Sequence, residues 1–395
     1  MAASLNLETQ LIENHLTDMN HELRLNILTQ RVEDCGIPLD DYAESTIHNE
    51  MRAVGIRSMG HVDDVIKEVA GRNRYNPVYN YLENWIETPW DGHDWISEVA
   101  SFVVEDVDPD QGEHPVFPLY LRKWMVGAAA KVLRQDGCRN PMLVLDGPQD
   151  IGKSMFVEWL CPKVLYPRYF RDAQIDPDNQ DHKIGRARTF IWEAAELDKT
   201  ANAKDASRIK SFITEYHVTE REAWRHYPME LPTITSFIGT VNNVCGFLND
   251  ASGSSRFRIC KLKAIDYDGY TNARPDLIDL AWCQAVHLYL AGETRDLPEA
   301  DKKYAMEVNA RYSIINNTKI ALEAYFDIDP DSDIFTASET IREVLQRQGL
   351  AGPDTDARRI ANCMKEMGLR NGWKRINGVP RRGYFGISKR LDVNV

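Results

Sequence analysis

The stretch Met142-Leu143-Val144-Leu145-Asp146-Gly147-Pro148-Gln149-Asp150-Ile151-Gly152-Lys153-Ser154-Met155 decides the fold. A short apolar run, MLVL at 142–145, meets a loop with the spacing G-x-x-x-x-G-K-[ST], and an amphipathic segment, SMFVEWL, follows from Ser154. Strand, glycine loop and helix form the context in which such a loop binds phosphate. Its glycines let the backbone wrap a polyphosphate, so that amides and the helix N-terminus point at negative charge. Gly147, Pro148, Gln149, Asp150, Ile151, Gly152, Lys153, Ser154 and Met155 are therefore the expected nucleotide-binding residues. Lys153 would reach the β- and γ-phosphates and Ser154 would hold Mg²⁺.

Two further runs, TFIW at 189–192 and TSFI at 235–238, are rich in β-branched and aromatic residues. Short buried strands separated by helical segments predict an α/β domain with a largely parallel sheet. Carboxylates belong at the end of the second strand, to hold the metal and polarise water. Glu193 and Glu196 stand there. Asn242, emerging from the third strand, is placed either to sense the γ-phosphate or orient water, or simply to cap a turn. The loop 250–258 carries Arg256 and Arg258; an arginine delivered to the γ-phosphate, often from a neighbouring subunit, stabilises transition-state charge. Arg256 is the better placed, and a surface salt bridge is the alternative for either. No NKxD-type guanine motif is present, which favours ATP over GTP. Between the second and third strands, Lys210, Arg221 and Arg225 alternate with aromatics. That pattern fits a DNA-contacting element and equally a charged, partly packed hairpin.

The rest of the chain is organised around this core. Residues 1–75 place apolar residues at helical spacing and are expected to be a helical N-terminal region. Residues 76–135 form a helical connector, with EDVDPDQGE (105–113) as a solvated loop. The ATPase core spans 136–270. A helical segment and a polar linker, DIDPDSD at 327–333, occupy 271–333, and 334–395 is a separate terminal domain. At 395 residues, with 43% hydrophobic and 27% charged, the chain is too long for a single small module and too apolar for disorder. No stretch is long and apolar enough for a membrane span, and the N-terminus does not look like a signal peptide, so a cytoplasmic protein without membrane partners is expected. Seven scattered cysteines without a CxxC pair argue against a disulfide framework and a zinc site.

In the last sixty residues, Thr336 to Glu339 reads as a capping box opening a helix. A second helix runs from about Thr355 to Met367, and two strand-like pieces flank Asn377-Gly378, a hairpin turn signal. From Thr336 onward, twelve Lys or Arg stand against six Asp or Glu, a balance of +6. The total of −13 then leaves −19 for the remainder, so an acidic body carries a basic end. Arg358 and Arg359 on the second helix and Lys374, Arg375, Arg381 and Arg382 on the hairpin are candidate DNA-phosphate contacts; a protein-docking wing is the alternative.

These motifs together resemble the virulence-associated protein E family, relatives of the phage and viral superfamily 3 helicases among the AAA+ ATPases. The resemblance runs from about Asn73 to Leu262, through YNPVYNYLE, LVLDGPQDIGKS, FIWEAAEL, IKSFIT, the R-x-Y of 225–227 and FIGTVNN…FLNDASGSSRF. It implies an AAA+ P-loop core, a homo-oligomeric ring, most simply a hexamer, and ATP- and Mg²⁺-driven work on single-stranded or forked DNA in mobile-element replication. It gives Glu193 and Glu196 the Walker B roles, Asn242 that of sensor 1 and Arg256 that of the finger. Helix, helix, hairpin likewise resembles the winged-helix tail of many such helicases. Ser254 and Ser255 replace the family's Asn and first Arg, Thr235 stands where an arginine is usual, and Asp150 stands where glycine is common. The first 75 residues are too short for the primase domain many relatives carry, so a separate primase or polymerase is expected. The rival expectation is an ATP-switched, DNA-binding initiator or regulator that does not unwind.

Overall fold

The computed structural model describes residues 2–134, 138–195, 203–220, 229–242, 256–312, 314–347, 360–361, 363–365 and 367–390. The N-terminal part contains α1 (Ala2–Asp18), β1 (Leu23–Asn26), β2 (Arg31–Asp34), β3 (Ile37–Pro38), α2 (Asp41–Ala53), α3 (Met59–Arg72) and β4 (Arg74–Tyr75). Its strands form one sheet in the order β3-β2-β1-β4, which corrects the expectation of a helical region. Leu23, Leu25 and Ile27 recur every second residue, a spacing that suits a strand, and antiparallel pairing of Leu23–Asn26 with Arg31–Asp34 settles the choice. Ile12, Leu16, Ile47, Met51, Val62 and Val65 close a small core of their own.

The next elements are α4 (Pro77–Glu87), α5 (Trp95–Ala100), β5 (Val103–Glu105) and α6 (Phe117–Leu133). Asn76 caps α4 by accepting from the Val78 and Tyr79 amides, and Pro77 fits the first helical turn. The helical connector is thus interrupted by a strand. Glu105, expected in a solvated loop, is partly buried in that strand and accepts the Val116 and Phe117 amides at 2.9 and 2.8 Å.

The central part runs through β6 (Met142–Asp146), α7 (Lys153–Trp159), β7 (Phe170–Asp172), α8 (Gln180–Arg188), β8 (Ile191–Ala194) and α9 (Ala203–Thr214). The strands β9 (His217–Glu220), β10 (Met229–Pro232), β11 (Ser236–Val241) and β12 (Phe257–Ile265) follow, then the helices α10 (Tyr267–Thr271), α11 (Leu277–Leu290), α12 (Glu299–Arg311) and α13 (Ile314–Tyr325). Six strands form the main sheet in the order β5-β12-β6-β11-β8-β7. β5 lies antiparallel at its edge, and the other five run parallel. The protein is therefore a mixed α/β fold with a parallel sheet at its centre.

Both faces of the sheet are covered, which is why its strands read as continuous apolar runs. Leu143, Leu145, Ile191 and Ile238 join residues of α6 and α11 in one core, while Met142, Val144, Trp192 and Phe237 join Ile209 and Phe212 of α9 in another. Each such buried side chain contributes roughly 1.5–3 kcal/mol.

Lys131 of α6 interrupts this apolar packing. It is 2% exposed and donates from Nζ to the Thr235 carbonyl at 2.6 Å. Burial pushes its ammonium down to about 8. A base depressed in the fold binds its proton more tightly in the unfolded chain, so its contribution to stability rises as pH climbs from 8 toward its ordinary value. Buried tyrosines and thiols oppose this at high pH, and comparison with Lys131→Met removes them. Between pH 8 and 10 the unfolding free energy of the native chain should gain roughly 2 kcal/mol on that variant in chemical denaturation.

The C-terminal part comprises β13 (Phe326–Ile328), β14 (Phe335–Ala337), α14 (Ser338–Arg347), β15 (Arg370–Ile376), β16 (Val379–Phe385) and β17 (Ile387–Lys389). β15 and β16 form the expected hairpin, with Asn377 and Gly378 both at positive φ (51° and 81°), as a two-residue turn of the primed type requires. The polar segment after Ile328 lies within this unit and does not lead into it. β13 pairs with β17, and Ala321, Leu322 and Phe326 share a core with Ile341, Val344 and Leu345. Thr336 is not a helix cap. It sits in β14, and its hydroxyl donates to the Ile387 carbonyl.

Candidate functional site

The cleft is built where β6, β8 and β11 end and α7 begins. β6 stops at Asp146, and the chain turns at Gly147, where an added Cβ would lie 2.7 Å from the Leu262 carbonyl oxygen. Only glycine lets the loop pass so close to β12. Asp150 and Gly152 both take left-handed backbone (φ 63° and 86°), which swings the loop around before Lys153 opens α7. The resulting cleft, of about 380 Å³, is lined by Gln149, Asp150, Lys153, Ser154, Thr240 and Asn242 among others.

Inside it the candidate residues converge. Lys153 Nζ donates to the Gly147 and Pro148 carbonyls at 2.8 and 2.6 Å and to Asn242 Oδ1 at 3.0 Å. Ser154 Oγ donates to Glu193 Oε1 at 2.6 Å, and Thr240 Oγ1 donates to the same oxygen at 3.1 Å. Glu193 is 1% exposed. Burial raises its carboxyl above the ordinary range, the Ser154 bond works against this, and the nearby Asp172 carboxylate adds to it. A hydroxyl and a carboxylate sharing a hydrogen bond beside a helix N-terminus give an all-oxygen donor pair suited to a hard divalent cation.

Thr240 and Asp172 carry no role in the sequence reading. Thr240 was nevertheless accessible, because it stands near the end of the third strand, two residues before Asn242, where extended backbone puts alternate side chains on one face. Asp172 was not, because it meets Glu193 only through the parallel register of β7 with β8.

The other candidates fall into three groups. Glu196, Arg221, Arg225, Arg358 and Arg359 lie outside the described residues. Arg256 stands just before β12, partly buried, with its Nε lacking a hydrogen-bond partner among the described residues. Lys210 and Arg258 are corrections. Lys210 is 7% exposed in α9, too enclosed to track a DNA backbone. Arg258 is 4% exposed in β12 and donates to the Arg295 carbonyl, with burial lowering its guanidinium to about 10. Both sit on elements whose inward face the sequence pattern did not orient. Lys374, Arg375, Arg381 and Arg382 are exposed on β15 and β16 beside Trp373, which is 68% exposed. Lys374 faces Arg381 directly across the hairpin, and Arg381 is paired with Glu339.

Asp150→Gly tests the loop. A non-glycine residue in left-handed backbone costs about 1 kcal/mol, and the entropy glycine gains on unfolding offsets a similar amount, so the melting temperature should barely move. Removing a carboxylate beside a polyphosphate should tighten nucleotide binding several-fold in calorimetric titration, with the gain fading at high salt.

Residues 82–314, more than half of the chain, match the model of the virulence-associated protein E-like domain. The chain belongs to the virulence-associated protein E-like family. No curated protein matches it. Among solved structures it is similar to the A form of the apo C terminal region of NrS-1, at 13% identity and a TM-score of 0.45, covering 95% of this chain and 98% of that one. A second apo structure of the same NrS-1 region also gives 13% identity and a TM-score of 0.45, over 96% of this chain and 99% of that one. No helix among the described residues is long and apolar enough to cross a membrane.

Proposed function

We propose that this virulence-associated protein E-like chain is an Mg²⁺-dependent ATPase of the AAA+ type that works as a hexameric ring on single-stranded or forked DNA, in the superfamily 3 manner, during replication of mobile elements. One observation carries the proposal: Lys153 and Ser154 of one helix and Asn242 at the end of one parallel strand line a single cleft, and Glu193 of a second parallel strand reaches it through its hydrogen bond with Ser154. The parallel strand order supports an AAA+ P-loop core, and family membership supports the replication role.

Ser154 and Glu193 would hold Mg²⁺, which supplies charge neutralisation at the phosphoryl oxygens. Lys153 binds the phosphates, moving its ammonium from the loop carbonyls to them. Asn242, already touching Lys153, ties the end of β11 to that movement. Glu193 is kept in place by two hydroxyl donors, and Glu196 takes the role of base. Arg256, from the adjoining subunit, completes the site.

The terminal unit supports a winged-helix reading, with β15 and β16 as its wing. Like charges directly across a hairpin destabilise it. The Lys374–Arg381 juxtaposition therefore favours an anionic partner, and the exposed Trp373 supplies a ring for base stacking. Strand displacement on a forked duplex tests the proposal. ATP-dependent unwinding supports the motor, whereas DNA binding with turnover but no unwinding supports an ATP-switched initiator.

A further inference from the structure

A second cavity, of about 390 Å³, adjoins the phosphate cleft, because Met155, half exposed at the start of α7, lines both. Glu158 and Trp159 continue its wall along the next turn of α7, and Tyr267 and Tyr270 of α10 face them. α10 follows directly on β12, the neighbour of β6, so the cavity lies beside the strand that carries the phosphate loop. Trp159, Tyr166, Tyr267 and Tyr270 give it an aromatic wall, and Glu158, Lys163, Arg274 and Asp279 are its charged groups. The Trp159 and Tyr270 rings lie 4.9 Å apart at 38°, and Tyr267 meets Tyr270 edge-on at 5.4 Å. A cavity of this size and character matches small-molecule sites, which combine apolar walls with a few polar groups.

The Tyr270 hydroxyl gives an independent indication. The residue is 3% exposed, and its hydroxyl is buried without a hydrogen-bond partner among the described residues. A buried hydroxyl ordinarily has a partner, and one left without suits a site completed from outside the chain. Glu158 adds a carboxylate acceptor to the same wall.

We propose that this cavity receives the base of the nucleotide whose phosphates enter the neighbouring cleft, and that the base is adenine. The Tyr270 hydroxyl donates to a ring nitrogen, Glu158 accepts from the exocyclic amine, and Trp159 and Tyr267 supply the apolar wall. The proposal rests on the nucleotide site proposed above and adds the part of the molecule that tells one nucleotide from another. Base stacking on aromatic side chains is worth at least ten-fold in affinity.

Calorimetric titration of the full chain with ATP, ITP and inorganic tripolyphosphate tests it. The native chain should bind ATP at least ten-fold more tightly than tripolyphosphate and several-fold more tightly than ITP, whose base lacks the amine. Tyr270→Phe removes only the hydroxyl, and Thr271→Trp fills the cavity from an exposed position. Both should bring ATP affinity toward that of tripolyphosphate and leave tripolyphosphate binding unchanged. ATP affinity unaltered in both variants, or tripolyphosphate binding lost along with it, overturns the base assignment. A native chain that binds no tripolyphosphate, or a Lys153→Ala variant that binds it as well as the native chain, overturns the phosphate cleft itself.

Discussion

Lys153→Ala is expected to lower ATP turnover by three orders of magnitude or more. The ammonium sits at the closed end of the loop, held by two carbonyls and Asn242, with no other cation lining the cleft among the described residues. A phosphoryl group in transfer spreads charge over its oxygens, and a fixed cation in an enclosed site stabilises that charge far more than one in water. A thousand-fold loss corresponds to about 4 kcal/mol. Steady-state phosphate release with thermal melting as the folding control measures it. Turnover within ten-fold of the native chain would remove Lys153 from the chemistry. Nucleotide binding should fall as well, because the same ammonium meets the phosphates before reaction.

Arg256→Ala is expected to reduce turnover comparably while leaving nucleotide affinity within a few-fold. An arginine supplied to the γ-phosphate is worth 10³ to 10⁵ in rate in such sites. No hydrogen bond or ion pair joins Arg256 to Lys153, Ser154 or Glu193 of its own chain among the described residues. That suits a side chain that acts on a neighbour. Mixing gives the decisive readout. Lys153→Ala and Arg256→Ala subunits, each inactive alone, should recover activity when combined, because some interfaces then pair an intact loop with an intact arginine. Mixtures that stay inactive at every ratio would place Arg256 in a role within its own subunit. Arg258 offers no substitute from its buried position in β12.

The cleft around Lys153, proposed to take the nucleotide, was legible because its residues are written locally. The glycine spacing, the lysine and the serine occupy eight consecutive positions, and the strands beside them are buried on both faces and therefore uniformly apolar. Glu193 and Asn242 could be placed because each ends such a run. The N-terminal sheet was not legible, since LRLN and RVED are four-residue strands whose pattern is too short to separate period two from period 3.6. Lys210 was misplaced because cations interleaved with apolar residues describe an exposed binding face and a half-buried helix equally well. The Tyr270 cavity left no local trace at all. Its walls come from α7 and α10, more than a hundred residues apart, and only the sheet brings them together.

The N-terminal sheet has a practical consequence for anyone trimming the chain. Asn26 of β1 donates to the Tyr169 hydroxyl at 2.8 Å, and the fully buried Glu33 of β2 holds Arg168. Tyr166, two residues earlier, borders the aromatic cavity. Leu28, just past β1, is counted in the main core. Cutting at residue 75 would strand an arginine and a tyrosine that had been matched to buried partners and would open a seam beside the proposed base pocket. The first 75 residues act as a keystone beside the proposed nucleotide pocket, and a shortened chain should be judged by how it melts before it is judged by any activity.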